Sequence, residues 1–206
     1  MIAVVDFGSG NTRSVLRALE SVGASSRLVS TAEGIGAADR LVLPGVGAAP
    51  SAVEELERRG LWEPVRAWGA AGRPLLGLCL GAQLLLDGSE EGEAPGLRLI
   101  GGRCRAFPPV AAGGPHQVPH IGWNEVRTAN ASFDAYFVHG YWLDADPGSV
   151  TGWTDVDGFR FPSLLRAGSL VGTQFHPEKS GPAGRALLAA FAAGSLDARL
   201  EAATWS

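Results

Sequence analysis

The sequence predicts an α/β fold, in which a mostly parallel open sheet carries helices on both faces and additional antiparallel strands extend the sheet. In the first half of the chain, short apolar runs alternate with segments whose apolar residues recur at helical spacing. Strands that alternate with helices in this way favour a parallel sheet covered on both faces. From Leu97 to Phe175 the apolar runs are short, alternating and joined by Gly and Pro, which is typical of antiparallel strands.

The first half supplies the parallel strands and most of the helices. Its four apolar runs are predicted strands: Ile2–Asp6, Arg27–Ser30, Leu41–Leu43 and Pro74–Leu78. Four helices are predicted between and after them: Thr12–Val22, one that starts at the capping-box pattern Ser51–Glu54, Trp62–Ala71 and Cys79–Leu86. Glycine turns precede the first and second of these helices, at Gly8–Asn11 and Pro44–Gly47.

The second half supplies further strands and a closing helix. The strands are predicted at Arg98–Ile100, Asn124–Arg127, Ala135–His139, Arg160–Leu165 and Leu170–Phe175. Alanine and leucine dominate the helix predicted from Gly181 to about Ser195. Because neither a linker nor an internal repeat interrupts the chain, we expect one domain over residues 1–206, with a frayed tail at Leu196–Ser206.

Charge and cysteine content exclude several classes of protein. The chain has 17 basic and 21 acidic residues and no long basic run, which argues against a nucleic-acid partner. We expect no signal peptide, because Asp6 interrupts an N-terminus without basic residues, and no membrane span, because the apolar stretch Pro74–Leu86 is too short. Two cysteines outside any CxxC pair fit a reducing compartment, so we expect a cytoplasmic protein.

A nucleophile elbow is predicted where the fourth strand meets its helix. The segment Gly77–Gly81 (GLCLG) has the G-x-nucleophile-x-G pattern, with Cys79 in the place that serine takes in many hydrolases. Glycines flank the nucleophile because so sharp a turn leaves no room for side chains beside it. A sulfur at the start of a helix is favoured as thiolate, its reactive form. The alternative is a buried structural cysteine, since free cysteines are usually buried and inert.

A base and an orienting carboxylate follow the last predicted strand. His176 and Glu178 are two residues apart in the segment Thr173–Glu178, so an extended Pro177 would place both side chains on one side. Glu178 could then accept one imidazole N–H and leave the other nitrogen for a thiol. Taken alone, His176 could instead be a surface histidine at a strand end.

An acyl-transfer site also needs donors for the oxyanion. In elbow enzymes the residue after the nucleophile supplies one backbone amide, which is Leu80 here. The second donor is predicted to be Val46, in the glycine-flanked loop that follows a neighbouring strand. An ordinary turn is the other interpretation of that loop.

Together these motifs resemble the class I (triad) glutamine amidotransferases. Three further segments, Leu41–Gly47 (LVLPGVG), Val118–Asn124 (VPHIGWN) and Tyr136–His139 (YFVH), narrow the resemblance to the glutaminase subunits of imidazole glycerol phosphate synthase, from histidine biosynthesis. The resemblance runs from the first strand to about Gly184, and Val118–Asn124 is its most specific part.

The resemblance implies that glutamine is hydrolysed through a cysteine thioester and that ammonia passes to a separate (β/α)₈ synthase subunit, in a heterodimer. It implies no cofactor, and His116, His120 and Cys104 have no metal-ligand spacing. Motif matching assigns the catalytic triad to Cys79, His176 and Glu178. Positions that contact glutamine are matched by Gly47, Gln83, Glu91, Gly140 and Tyr141, and positions that face the synthase by Asn11, Pro119, Trp123, Tyr136 and Lys179.

Alternatives remain open at several of these positions. Glu90 and Glu91 could be a solvated helix end, and Trp123 could be a core residue. At Gly140 the family usually has a small hydroxyl residue, which matters little if that position contacts glutamine through its backbone. The function could also be that of another triad glutaminase subunit, serving pyridoxal phosphate or surface-sugar synthesis, of a non-catalytic module of the same fold, or of a cysteine peptidase. The segment Val118–Asn124 argues against another glutaminase subunit, and the complete triad argues against a non-catalytic module. A cysteine peptidase would need a groove for an extended peptide, and activity on peptides against free glutamine would distinguish it.

Overall fold

The computed structural model describes residues 1–8 and 11–196 of the chain. In its first half, strands alternate with helices, as predicted. The strands are β1 (Ile2–Val5), β2 (Ser26–Val29), β3 (Arg40–Leu43) and β4 (Leu75–Leu78), and the helices are α1 (Thr12–Ser21), α2 (Ala32–Gly36), α3 (Ala49–Arg58), α4 (Trp62–Ala70) and α5 (Leu80–Leu84). No helix within the described residues is long and apolar enough to cross a membrane.

The second half contains more strands than the sequence predicts. They are β5 (Gly88–Ser89), β6 (Gly102–Ala106), β7 (His120–Thr128), β8 (Ser132–His139), β9 (Tyr141–Ala145), β10 (Val150–Val156), β11 (Phe159–Ala167) and β12 (Leu170–Thr173). Helix α6 (Gly181–Ala193) closes the described part of the chain. Leu196, the first residue of the predicted tail, is buried, and the rest of that tail, like Ser9 and Gly10 of the first glycine turn, lies outside the described residues.

A nine-stranded sheet has the order β2-β1-β3-β4-β12-β11-β10-β7-β8. The pairings from β2 through β12 are parallel, and those from β12 through β8 are antiparallel. A second, three-stranded sheet has the order β5-β6-β9. The α/β class with additional antiparallel strands is thereby confirmed, and β3, β4 and β12 lie side by side with their carboxyl ends at one edge.

Successive side chains of a strand point to opposite faces of the sheet, so the apolar strands of the large sheet carry buried residues on both faces. Helices cover both of these faces. One face packs on α1 and α6, and the other packs on α2 to α5. Strand residues that face α1 and α6 include Ile2, Val4, Val42, Leu76 and Leu78, whereas those on the other face include Ala3, Val5, Leu41, Leu43 and Leu75.

Several predicted boundaries are wrong. Arg98–Ile100 is an irregular, bent segment rather than a strand, and the strand begins at Gly102. Helix α3 starts at Ala49, with Pro50 in its first turn and Ala48 at the N-cap, so Ser51 caps nothing. Strand β10 was not predicted because Gly152 interrupts its pattern. The pairing of β10 with β11 shifts register at that glycine, and the close packing favours glycine there because a Cβ would lie 2.8 Å from Leu164 Cβ.

Candidate active site

The turn from β4 into α5 is a sharp elbow with Cys79 at its apex. Cys79 lies outside the helix that was predicted to contain it: it is the N-cap residue, with φ 51° and ψ −105°. A side chain on Gly77 would bring a Cβ within 2.7 Å of Gly81 O, and one on Gly81 would bring it within 1.8 Å of Leu43 O. Both glycines are therefore required by close backbone packing, and the strained cysteine conformation is typical of a functional position.

The loop that was predicted to supply the second oxyanion donor packs directly on the elbow. Strand β3, which precedes the loop, pairs with β4. A Cβ on Gly45 would lie 2.7 Å from Leu80 Cβ, so glycine allows this close approach. Gly47 has φ +100°, a conformation that favours glycine. Val46 and Leu80 both line the cavity in front of Cys79.

His176 and Glu178 form a buried pair beside the elbow. The imidazole Nδ1 lies 2.7 Å from Glu178 Oε1, and both side chains are almost completely buried. The predicted extended geometry at Pro177 is wrong, since Pro177–Lys179 is a 3₁₀ turn that brings the two side chains together. The other ring nitrogen, Nε2, has no hydrogen-bond partner among the described residues, which leaves it available to a reacting group.

The charge state of His176 follows from its surroundings. Burial alone would lower its pKa, but the Cys79 sulfur, as thiolate, and the Glu178 carboxylate favour the imidazolium and raise the pKa to about 9. Asn11 Nδ2 donates to the same Glu178 oxygen that faces His176. Asn11 is buried in this structure, with 8% of it exposed, and its assignment as a synthase-facing residue stays a prediction.

A cavity of about 410 Å³ opens in front of Cys79, large enough for a small-molecule ligand. All five predicted glutamine-contacting residues line it: Gly47, Gln83, Glu91, Gly140 and Tyr141. Glu91 Oε2 accepts a hydrogen bond of 2.7 Å from the Ala49 backbone N–H at the start of α3. A carboxylate has further acceptor capacity, so this contact leaves Glu91 able to bind a cation. Glu90 instead pairs with Arg105 at 2.9 Å.

The sequence analysis missed Gln174 and Ser180, which position the triad. Gln174 Nε2 donates to Cys79 Sγ at 3.7 Å, and Gln174 Oε1 accepts from Gln83 Nε2 at 3.5 Å. Ser180 Oγ donates to the His176 carbonyl at 2.6 Å and accepts from the Tyr136 N–H at 3.0 Å. Their only sequence signal is proximity to His176, because the contacts of Gln174 with Cys79 and Gln83, and of Ser180 with Tyr136, join segments that are far apart in the chain.

The predicted synthase-facing residues other than Asn11 lie near the mouth of the cavity. Pro119 and Lys179 line the cavity, and Lys179 Nζ lies 5.5 Å from the centre of the Tyr136 ring. Trp123 packs edge-on against Tyr136 with 6.2 Å between ring centroids, and 59% of it is exposed, so it is not a core residue. Val118 and Ile121, from the same segment, are also exposed.

Comparisons with known proteins agree with this geometry. The family Glutamine amidotransferase class-I matches residues 3–194. The chain is 46% identical over 200 residues to "Imidazole glycerol phosphate synthase subunit HisH" of Streptococcus sanguinis (strain SK36), covering 93% of this chain and 95% of that one. It is 44% identical over 202 residues to the protein of the same name from Rhodopirellula baltica (strain DSM 10527 / NCIMB 13988 / SH1), covering 93% and 97%.

A solved structure shares the fold at low sequence identity. The structure described as "Crystal structure of glutamine amidotransferase" superposes with a TM-score of 0.75 at 20% identity, covering 93% of this chain and 98% of that one. The likeness in fold extends over nearly the whole chain.

Proposed function

The chain belongs to the class-I glutamine amidotransferase family, and on that premise we propose that it is the glutaminase subunit of an imidazole glycerol phosphate synthase in histidine biosynthesis. The observation that carries the proposal is the convergence of Cys79, with its strained elbow backbone, and the His176–Glu178 pair beside one small cavity. The residues of this constellation come from the ends of adjacent parallel strands, where α/β folds place their ligands.

The chemistry follows from the geometry. The Cys79 thiolate attacks the side-chain carboxamide carbon of glutamine, and the backbone amides of Val46 and Leu80 stabilise the resulting oxyanion. His176, which holds the thiol proton as imidazolium, gives it to the departing nitrogen, so that ammonia leaves and a thioester remains. His176 then takes a proton from water as the water attacks the thioester, which releases glutamate and restores the Cys79 thiolate beside the His176 imidazolium.

Glu178 orients the imidazole and stabilises its positive charge through the Nδ1–H hydrogen bond. Glu91 holds the α-ammonium of glutamine, because it places a carboxylate in a cavity that the nucleophile also lines. Gly47, Gln83, Gly140 and Tyr141 form further parts of the wall of the substrate site.

Ammonia released into water at neutral pH is protonated and lost as a nucleophile, so a glutaminase of this kind needs an acceptor close by. We propose that the acceptor is a (β/α)₈ synthase subunit in a heterodimer with this chain. Exposed apolar side chains beside the cavity support its docking there: Trp123 (59% exposed), Ile121 (53%) and Val118 (49%). We call these three residues the docking face. We also propose one domain over the whole chain and a cytoplasmic location, where Cys79 stays reduced.

Replacing the nucleophile tests the function directly. In the complex with the synthase subunit, Cys79→Ser should abolish glutamine-dependent synthesis and preserve ammonium-dependent synthesis, because the acceptor site is untouched. Glutamine turnover near the wild-type rate would overturn the assignment of Cys79.

Cysteine labelling provides a matched control within the chain. A glutamine-like electrophile should label Cys79 and spare Cys104, because burial raises the pKa of the Cys104 thiol and Cys104 does not line the cavity. Labelling of Cys104 at the same rate would mean that the reagent does not report on the proposed site.

A further inference from the structure

Two buried histidines, His120 and His139, lie beside the candidate active site and have no part in the chemistry above. They face each other across the β7–β8 pairing, with His120 Nδ1 3.1 Å from His139 Nε2. His139 Nδ1 lies 2.7 Å from the Tyr141 carbonyl oxygen, and His120 Nε2 lies 3.3 Å from Asn124 Nδ2. The four groups therefore form one continuous line of hydrogen bonds.

The hydrogen-bond partners determine where each proton lies. A carbonyl oxygen only accepts, so the His139 proton must be on Nδ1, where it is donated to Tyr141. Burial lowers the pKa of His139 to about 3, so the ring is neutral at physiological pH and its Nε2 accepts. His120 must then donate from Nδ1 and accept at Nε2 from the Asn124 amide. Each of the three hydrogen bonds in this line is therefore donated in the direction of the Tyr141 carbonyl.

The line of hydrogen bonds ends at a wall of the substrate cavity. His139 ends β8 in the nine-stranded sheet and Tyr141 begins β9 in the three-stranded sheet, so the bond closes the corner between the two sheets. Gly140, at that corner, has no atom within 4 Å of the position of a Cβ. The Tyr141 carbonyl also accepts a hydrogen bond of 3.3 Å from Gln83 Nε2. The position of this carbonyl thus affects Tyr141, its neighbour Gly140 and Gln83, all of which line the cavity.

We propose that His139 is a positioning residue for glutamine binding: its Nδ1–H holds the Tyr141 carbonyl in place, and His120 and Asn124 hold its ring in the required orientation. This inference rests on the proposed glutaminase function. His139 itself lines the cavity, and its ring is buried, so it acts by fixing the shape of the cavity wall. Its loss should therefore weaken glutamine binding more than it slows the thioester chemistry at Cys79.

Two amide substitutions test the two ring nitrogens of His139 separately. In His139→Asn the side-chain amide nitrogen replaces Nδ1 and keeps the donor to Tyr141, while the acceptor for His120 is lost. In His139→Gln the amide reaches the position of Nε2 and keeps the contact with His120, while the donor to Tyr141 is lost. Both variants remove the ring from contact with Phe107 and Phe161, so the lost aromatic packing is matched.

Steady-state kinetics of the complex with the synthase subunit, with glutamine as the varied substrate, give the test. We expect His139→Gln to raise KM for glutamine about tenfold, as for one lost hydrogen bond, with kcat changed less than about threefold. His139→Asn should keep KM within about threefold of the wild type. Equal KM values in the two variants would overturn the inference. A wild-type complex that turns over no glutamine would instead overturn the proposed function.

A measurement on the unmodified protein keeps the test valid if both variants misfold. In ¹⁵N-histidine-labelled protein, His139 should show a protonated Nδ1 and an unprotonated Nε2 that do not titrate between about pH 5 and 8, where an unperturbed histidine does. A proton on Nε2, or a titration within that range, would refute the assigned direction of the hydrogen bonds and the inference with it.

Discussion

His176 Nδ1 lies 2.7 Å from Glu178 Oε1 across a single 3₁₀ turn, and the carboxylate oxygen that faces the ring also accepts a hydrogen bond from Asn11. The pair is buried, so the contact is not weakened by solvent. Because Nδ1 is engaged, the proton that moves during the reaction must use Nε2. The predictions below test what this pair and its surroundings do.

The first prediction concerns the titration of His176. Its pKa of about 9 means that the imidazolium should persist through neutral pH. Because the folded-state pKa exceeds the unfolded value near 6.5, its stabilising contribution is fully present below about pH 6.5 and is lost as pH rises through about 9. An NMR titration of the His176 ring should have its midpoint near pH 9, and Cys79→Ala should lower that midpoint. A midpoint at or below 6.5 in the wild type would contradict this.

The second prediction ranks two members of the triad. His176→Ala removes the group that moves the proton and should reduce glutaminase activity by about 10²–10⁴-fold. Glu178→Gln should cost less, because an amide oxygen can still accept from the imidazole and from Asn11. Single-turnover rates of glutamate formation measure both losses, and ammonium-dependent synthesis controls for folding. A larger loss in Glu178→Gln would reverse the assigned roles, whereas equal losses would mean that the two residues act as one unit.

The third prediction concerns the oxyanion donors. Val46→Pro removes the backbone N–H that we assign as the second donor, and one missing donor costs about 10²–10³ in rate. We therefore expect glutaminase activity, stimulated by the bound synthase and its ligand, to fall by that factor. Val46→Ala keeps the N–H and should retain most of the activity. Ammonium-dependent synthesis should survive in both variants, and full stimulated activity in Val46→Pro would show that the donor lies elsewhere.

The fourth prediction concerns the packing of the elbow. A Cβ at Gly81 would lie 1.8 Å from the Leu43 carbonyl oxygen, so Gly81→Ala must displace backbone rather than a flexible side chain. We expect the free energy of unfolding to fall by more than about 3 kcal/mol, measured by urea denaturation. Gly36→Ala is the matched control, because its Cβ would meet nothing within 4 Å; it should leave stability unchanged or raise it by up to about 1 kcal/mol.

The fifth prediction concerns the docking face. Trp123→Ala should weaken binding of the synthase subunit by at least about 30-fold, since a large aromatic residue buried at an interface typically contributes about 2 kcal/mol or more. Leu28→Ala serves as control, because Leu28 is 39% exposed on β2, at the opposite edge of the large sheet. Titration calorimetry with the synthase subunit measures both. Equal affinities for the two variants would place the interface elsewhere.

Much of the fold could be predicted because its signals are local. The alternation of apolar runs with helical spacing identified the four parallel strands of the first half and α1, α4 and α6 to within a few residues. The short strands of the second half were harder to predict, since a bulge at Gly152 and a bent segment at Arg98–Ile100 break or imitate the alternating pattern. The capping-box pattern at Ser51 was misleading because Pro50 allows the helix to start earlier.

Chemistry that depends on neighbouring residues could be predicted from the order of the amino acids. Glycines two positions before and after Cys79 predict an elbow because the steric conflict lies within one turn of chain. Which distant groups meet around the active site follows from the tertiary structure. Asn11 donates to Glu178 across 167 residues, Gln174 donates to Cys79 across 95, and His120 faces His139 through strand register. Such contacts depend on the order and register of strands, which a local pattern of residue types does not encode.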